Sequence, residues 1–186
     1  MDISAVADYI NKRPNNKVIC LFYEGIQELP PGPLNHPHLE ELNLESNKLT
    51  SFPPNFLGCC PNLKILNLSV NELTSLPPHF LDHCPNLEKL NLSVNKLTSL
   101  PPHFLDYCPK LKRLYLSDNK LTSLPPHFLD YCPNLERLYL CDTTSRPSHL
   151  FNYCPKLELY IFDKPISLPP QYIEYLENRK SVKISP

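Results

Sequence analysis

Residues 87–110 read LEKLNLSVNKLTSLPPHFLDYCPK, and the segments on either side say nearly the same thing. Four copies of 24 residues fill 39–62, 63–86, 87–110 and 111–134, and residues 135–156 form a 22-residue copy that has lost two positions near Thr144. Weaker copies flank these. One spans 16–38, anchored by Ile26, Leu29 and Pro30-Pro31, and another spans 157–178, anchored by Leu168 and Pro169-Pro170. A half copy, Ser181-Val182-Lys183-Ile184, closes the series as a last strand. A unit this short cannot bury its own apolar face, so about seven coils are expected to stack on one another.

Numbered from the first Leu of each copy, the apolar positions are 1, 4, 6, 11, 14, 18, 19 and 22. Positions 3 to 7 alternate as a strand with one buried face does, with Leu90 and Leu92 inward and Lys89, Asn91 and Ser93 outward. Such a strand has no partner within its own copy, which predicts a parallel sheet built from one strand per coil. Position 9 is Asn47, Asn71, Asn95 and Asn119. An amide there can satisfy backbone groups of its own turn and its neighbour's, which tight coiling would otherwise bury unpaired.

The pattern LxxLxLxxNxLxxLP resembles the leucine-rich repeat family, in its "typical" 24-residue class, over about residues 16–178. The resemblance implies an α/β solenoid: a leucine-rich repeat horseshoe with a parallel concave β-sheet, short helical or irregular convex segments and an N-terminal capping helix. The junction Cys84-Pro85-Asn86-Leu87 is similar to that of intracellular members, and the dense, nearly identical copies are similar to repeat proteins of amoebae and of the giant viruses that infect them. Residues 1–15 read as the N-terminal cap, 16–178 as the solenoid and 179–186 as a C-terminal strand or cap. Within the first of these, Ile3, Val6, Ala7 and Ile10 make an apolar helical stripe, with Asp2 placed to cap and Pro14 to stop. Tyr172, Ile173, Tyr175 and Leu176 suggest a short helix before the last strand.

Composition fits this plan. Among 186 residues, 23 are Pro and only 3 are Gly, and most prolines fall at repeat positions 15, 16 and 23, where φ is fixed and no ladder hydrogen bond is needed. The 18 basic and 19 acidic residues leave a net charge near −1, which predicts neither a nucleic-acid nor a membrane-surface partner. The N-terminus lacks the basic and long apolar stretches of a secretory signal, so the expected setting is the cytoplasm, of a host cell if the source is viral. There the eight cysteines are expected to stay reduced, with those at position 22 (Cys60, Cys84, Cys108, Cys132 and Cys154) in a buried column. Cys59 and Cys141 are expected to be the more reactive thiols. His79, His103, His127 and His149 form a second column, with Asp82, Asp106 and Asp130 three residues beyond the first three, and read as exposed turn residues rather than metal ligands. No catalytic set, Gly-rich phosphate loop, cofactor motif or CxxC metal motif is present in the sequence, and no enzymatic activity is expected.

Differences between copies point to a binding face. Copies 63–86 and 87–110 differ at five positions (2, 3, 10, 21 and 24), and copies 87–110 and 111–134 at five (2, 3, 5, 8 and 24). Nearly all lie on the strand's outward side, its approach or its exit. The candidate partner-binding residues of the concave face are Glu40, Glu41 and Glu45 at an acidic end, Lys89 in a mixed centre, and Lys112, Arg113 and Arg137 at a basic end. Tyr115, Tyr139 and Ile161, taken as successive occupants of position 5, add an aromatic and apolar strip, and Tyr beside Arg is a pairing common at binding hot spots. The expected function is a monomeric, non-enzymatic protein-interaction module. The alternatives are a rigid structural or assembly protein and a secreted ligand-binding receptor fragment.

Overall fold

The computed structural model describes residues 1–140 and 154–161. Seven short strands, β1 (Val18–Cys20), β2 (Glu41–Asn43), β3 (Ile65–Asn67), β4 (Lys89–Asn91), β5 (Arg113–Leu116), β6 (Arg137–Leu140) and β7 (Glu158–Ile161), lie in chain order in one parallel sheet. The ladder aligns equal repeat positions: Leu42, Leu66, Leu90, Leu114 and Leu138 form one row of cross-strand partners. All eight apolar positions of 87–110 are buried, namely Leu87, Leu90, Leu92, Leu97, Leu100, Phe104, Leu105 and Cys108, and they belong to one continuous core.

Two ring pairs related by a 24-residue step measure the curvature. Tyr115 and Tyr139, on the sheet, stack with centroids 4.6 Å apart, whereas Phe104 and Phe128, beneath the opposite arc, stack 6.5 Å apart. The coils therefore fan open on the arc side, which leaves the sheet on the inside of the curve. The arcs are made of successive turns rather than regular helix. In one copy Cys84 N–H donates to the Leu81 carbonyl at 2.9 Å and Leu87 N–H to the Cys84 carbonyl at 3.1 Å.

At β7 the register departs from the repeat count. Tyr139 pairs with Tyr160 and Leu140 with Ile161, so Tyr160, not Ile161, stands in the position-5 column. The segment Leu157-Glu158-Leu159-Tyr160-Ile161 alternates from its first residue, and this register aligns Leu159 and Ile161 with the inward leucine rows. A slip of one residue would invert the faces.

The helix α1 (Ile3–Asn11) covers the first coil. Asp2 caps it by accepting a 2.8 Å hydrogen bond from Ala5 N–H, and Val6 and Ile10 are buried in the core. The buried stripe is narrower than the sequence suggests: Ile3 is 39% exposed and Ala7 half-buried, because only residues one turn apart meet the coil. Tyr9 Oη donates to the Cys20 carbonyl at 3.4 Å, tying the helix to β1. Beneath it lies His36, buried, bonded to the backbone of Ile10, with Nδ1 unpartnered among the described residues. Burial lowers its pKa below the usual value despite that bond. Above the unfolded value of about 6.5 this group leaves stability unchanged, and below it the unfolded chain takes the proton first, so stability falls with pH. Denaturation midpoints at about pH 7.5 and 5.5 should show this drop in the wild type and a smaller one in His36→Gln; equal drops would remove His36 as its cause.

Cys141, the shortened turn near Thr144, His149 and both elements of the expected C-terminal cap lie outside the described residues.

Candidate functional site

The open face of the sheet carries repeat positions 3, 5 and 7, which the alternation of each strand turns away from the core, with positions 2 and 10 beside it at the strand's approach and exit. Its spacing is set by Asn47, Asn71, Asn95 and Asn119. Asn95 Nδ2 donates to the carbonyls of Leu68 (3.0 Å) in the preceding coil and Leu92 (3.1 Å) in its own, while its Oδ1 accepts from Leu73 N–H at 3.0 Å. Asn71 repeats the scheme with Leu44, Leu68 and Leu49, and Asn119 with Leu92, Leu116 and Leu97. Each amide thus closes its own turn and clamps the coil before it.

Position 2 runs Lys17, Glu40, Lys64, Glu88, Lys112, Glu136, alternating in sign along the solenoid. Glu40 accepts from Lys17 at 2.8 Å and from Lys64 at 2.7 Å, and Glu88 from Lys112 at 2.7 Å. The two ammonium groups hold the Glu40 carboxyl down at about 2, and Lys112 lowers that of Glu88. Glu72 and Lys96 at position 10 make a similar pair at 2.7 Å. Both ends are therefore less open than the sequence suggests: Glu40 at the acidic end and Lys112 at the basic end are engaged between coils, and Glu45 accepts from Asn67 Nδ2 at 2.8 Å. The alternation gives the variation at position 2 a structural cause, and its sign pattern was already legible in the sequence.

Position 3 is different. Lys89, Arg113 and Arg137 are successive cross-strand partners, and none has a carboxylate within ion-pair distance among the described residues. Lys89 Nζ sits 5.8 Å from the centre of the Tyr115 ring, a cation–π contact. Tyr115 and Tyr139 are half-buried and lie nearly parallel, 14° apart. Glu41 is half-buried at the other end of the same row, with Ile65 between it and Lys89.

The family model described as Leucine rich repeat matches residues 37–97 and 85–143, more than half of the chain. The chain belongs to the leucine-rich repeat family. No curated protein matches it. Leucine-rich repeat domains generally mediate protein–protein interaction. No helix among the described residues is long and apolar enough to cross a membrane.

Two columns of this leucine-rich repeat look chemical and are explained by its geometry. Cys60, Cys84, Cys108 and Cys132 are free, and with Cys154 they form a fully buried column; Cys132 Sγ lies 3.8 Å from the Cys108 carbonyl and Cys154 Sγ 3.3 Å from that of Cys132. Cys60, Cys108, Cys132 and Cys154 thus lean on the backbone of the coil before them. Burial pushes the thiols of Cys60, Cys84 and Cys132 up to about 12 and raises that of Cys108 as well, which suppresses the reactive thiolate. Cys59 and Cys20 are exposed; Cys59 was legible as such, whereas Cys20 follows from its place in position 5 of the first coil.

His79 and His103 occupy position 17 with φ of 59° and 60°, as Asn55 does at 57°. Asn and His are among the non-glycine residues that tolerate this left-handed conformation, which suits them to these three sites. The Nδ1 atoms of His79, His103 and His127 meet Asp82, Asp106 and Asp130 at 2.8, 2.8 and 2.7 Å. Copy 39–62 replaces the pair by Asn55 and Gly58, where any Cβ would stand 2.4 Å from Asn55 Oδ1. Among the described residues no group of three or more His, Cys, Asp or Glu side chains could hold a metal ion.

Proposed function

We propose that the protein is a non-enzymatic module that captures a partner protein on the concave face of its sheet, around Arg113, Tyr115, Arg137 and Tyr139. The observation that carries this reading is the stacked tyrosine pair beside two arginines with no ion-pair partner among the described residues. Held by a rigid ladder, these side chains lose little entropy on binding, and aromatic and Arg side chains supply most of the energy at protein interfaces. Lys89 extends the patch, Tyr160 stands in register beside Tyr139, and Glu41 and Glu45 border it toward the N-terminus. The reading includes a monomer working in a reducing compartment, which the buried thiols of Cys60, Cys84, Cys108 and Cys132 favour.

Tyr115→Ala with Tyr139→Ala is expected to weaken binding to a partner captured from the native host by about 2 kcal/mol, roughly 30-fold. Isothermal titration calorimetry on the purified pair measures it. Unchanged affinity would move the site off this face.

A further inference from the structure

Two adjacent columns of the sheet face handle charge in opposite ways. Position 2 alternates in sign and neutralises itself through Lys17, Glu40, Lys64, Glu88 and Lys112. Position 3, one residue along the same strands, sets Lys89, Arg113 and Arg137 side by side. Cross-strand partners are about 4.8 Å apart, and like charges at that spacing repel. The row is bounded, with Ile65 on one side and Glu158 in register on the other. A sheet that balances one column and leaves three cations together in the next is complementary to an anion.

The neighbouring surface is apolar. The Tyr115–Tyr139 stack lies two residues further along the same strands, about 7 Å away. Val94, 45% exposed, sits at the strand exit with φ of 55°, a left-handed conformation that costs a β-branched side chain on the order of 1 kcal/mol or more. Acidic and apolar recognition are thus offered together. We propose that this surface binds an extended, carboxylate-rich segment of a partner protein, with Asp or Glu side chains on Lys89, Arg113 and Arg137 and an apolar side chain against the tyrosines. Guanidinium groups can take carboxylates bidentately. A nucleic acid fits less well, because the tyrosines are already stacked on each other at 4.6 Å and so take up ring faces on which bases would stack. The proposal rests on the reading of the sheet face as the binding face.

Selection of random dodecapeptides displayed on phage against the full chain tests it, run in parallel on Arg113→Glu/Arg137→Glu and on Tyr115→Ala/Tyr139→Ala. Wild type should enrich peptides rich in Asp and Glu with an aromatic or aliphatic residue, and the charge-reversed variant peptides rich in Lys and Arg. A synthetic copy of the best wild-type peptide should lose about tenfold in affinity between low and roughly 0.5 M salt. Arg113→Gln/Arg137→Gln, which adds no carboxylate, should abolish the acidic bias even if charge reversal disturbs folding. Peptides without acidic bias that fail on the tyrosine variant would overturn the charge assignment and leave the sheet-face reading standing. Peptides that bind every variant alike would overturn both. Tighter binding of an oligothymidylate than of the selected peptide, lost on charge reversal, would replace the protein segment by a nucleic acid.

Discussion

Asn95→Ala is expected to destabilise the fold by about 2–4 kcal/mol, more than an ordinary polar-to-alanine change. Asn95 is 7% exposed and meets two coils at once: its Nδ2 reaches the carbonyls of Leu68, Leu92 and Ser93, and its Oδ1 accepts from Leu73 N–H. Truncation leaves the Leu73 N–H buried and unpaired in a leucine core, at about 1–3 kcal/mol, and removes one of the two amide bonds that the Leu68 and Leu92 carbonyls each accept, the others coming from Asn71 and Asn119. Asn119 makes the same bonds but is half-buried, so water can replace part of them and Asn119→Ala should cost distinctly less. Asn95→Asp separates the donor role from volume, because a carboxylate accepts from Leu73 but cannot donate to Leu68 or Leu92. Urea denaturation of the three variants measures the series. A loss below about 1 kcal/mol for Asn95→Ala would show that the coils are held by leucine packing alone.

Ile10→Ala should cost about 2–4 kcal/mol where it acts, and it should act at one end. Ile10 is 3% exposed, and with Val6 it is the part of α1 that joins the core, while its backbone also holds His36. In a solenoid each coil contacts only its neighbours, so a fault in the cap raises the opening of the first coils without reaching the far ones directly. Amide hydrogen exchange should speed up in β1 and β2 and stay unchanged in β5 and β6. Uniform acceleration through β6 would mean that the described coils open as one unit and that α1 is part of a single cooperative block. Either result would bear on the binding face, since Arg113 and Tyr115 of β5 lie four strands from the cap.

Much of the architecture was legible because it is written several times over. An apolar residue at position 4 or 6 recurs in each copy, so the core, the parallel pairing and the role of the position-9 amides all follow from one 24-residue unit. The candidate face was legible in outline for a related reason: copies that agree on their core differ at outward positions. Its energetics were not. Glu40, Glu45 and Lys112 read as open charges, yet all three are engaged by Lys17 and Lys64, Asn67, and Glu88. The histidine column carried a signal that counting missed, since Asn55 shares position 17 with it and both residue types accept a left-handed backbone.

The sequence by itself determined the coil, its order, its buried positions and its amide clamps, because periodicity is local information and each copy restates it. Only the tertiary structure decided which charges are spent between coils and which are left to a partner, because that depends on the reach of long side chains across neighbouring strands. It also decided that Tyr160 rather than Ile161 continues the tyrosine column. There the copy is shortened, counting loses its phase, and the strand ladder with its inward leucine rows sets the register instead.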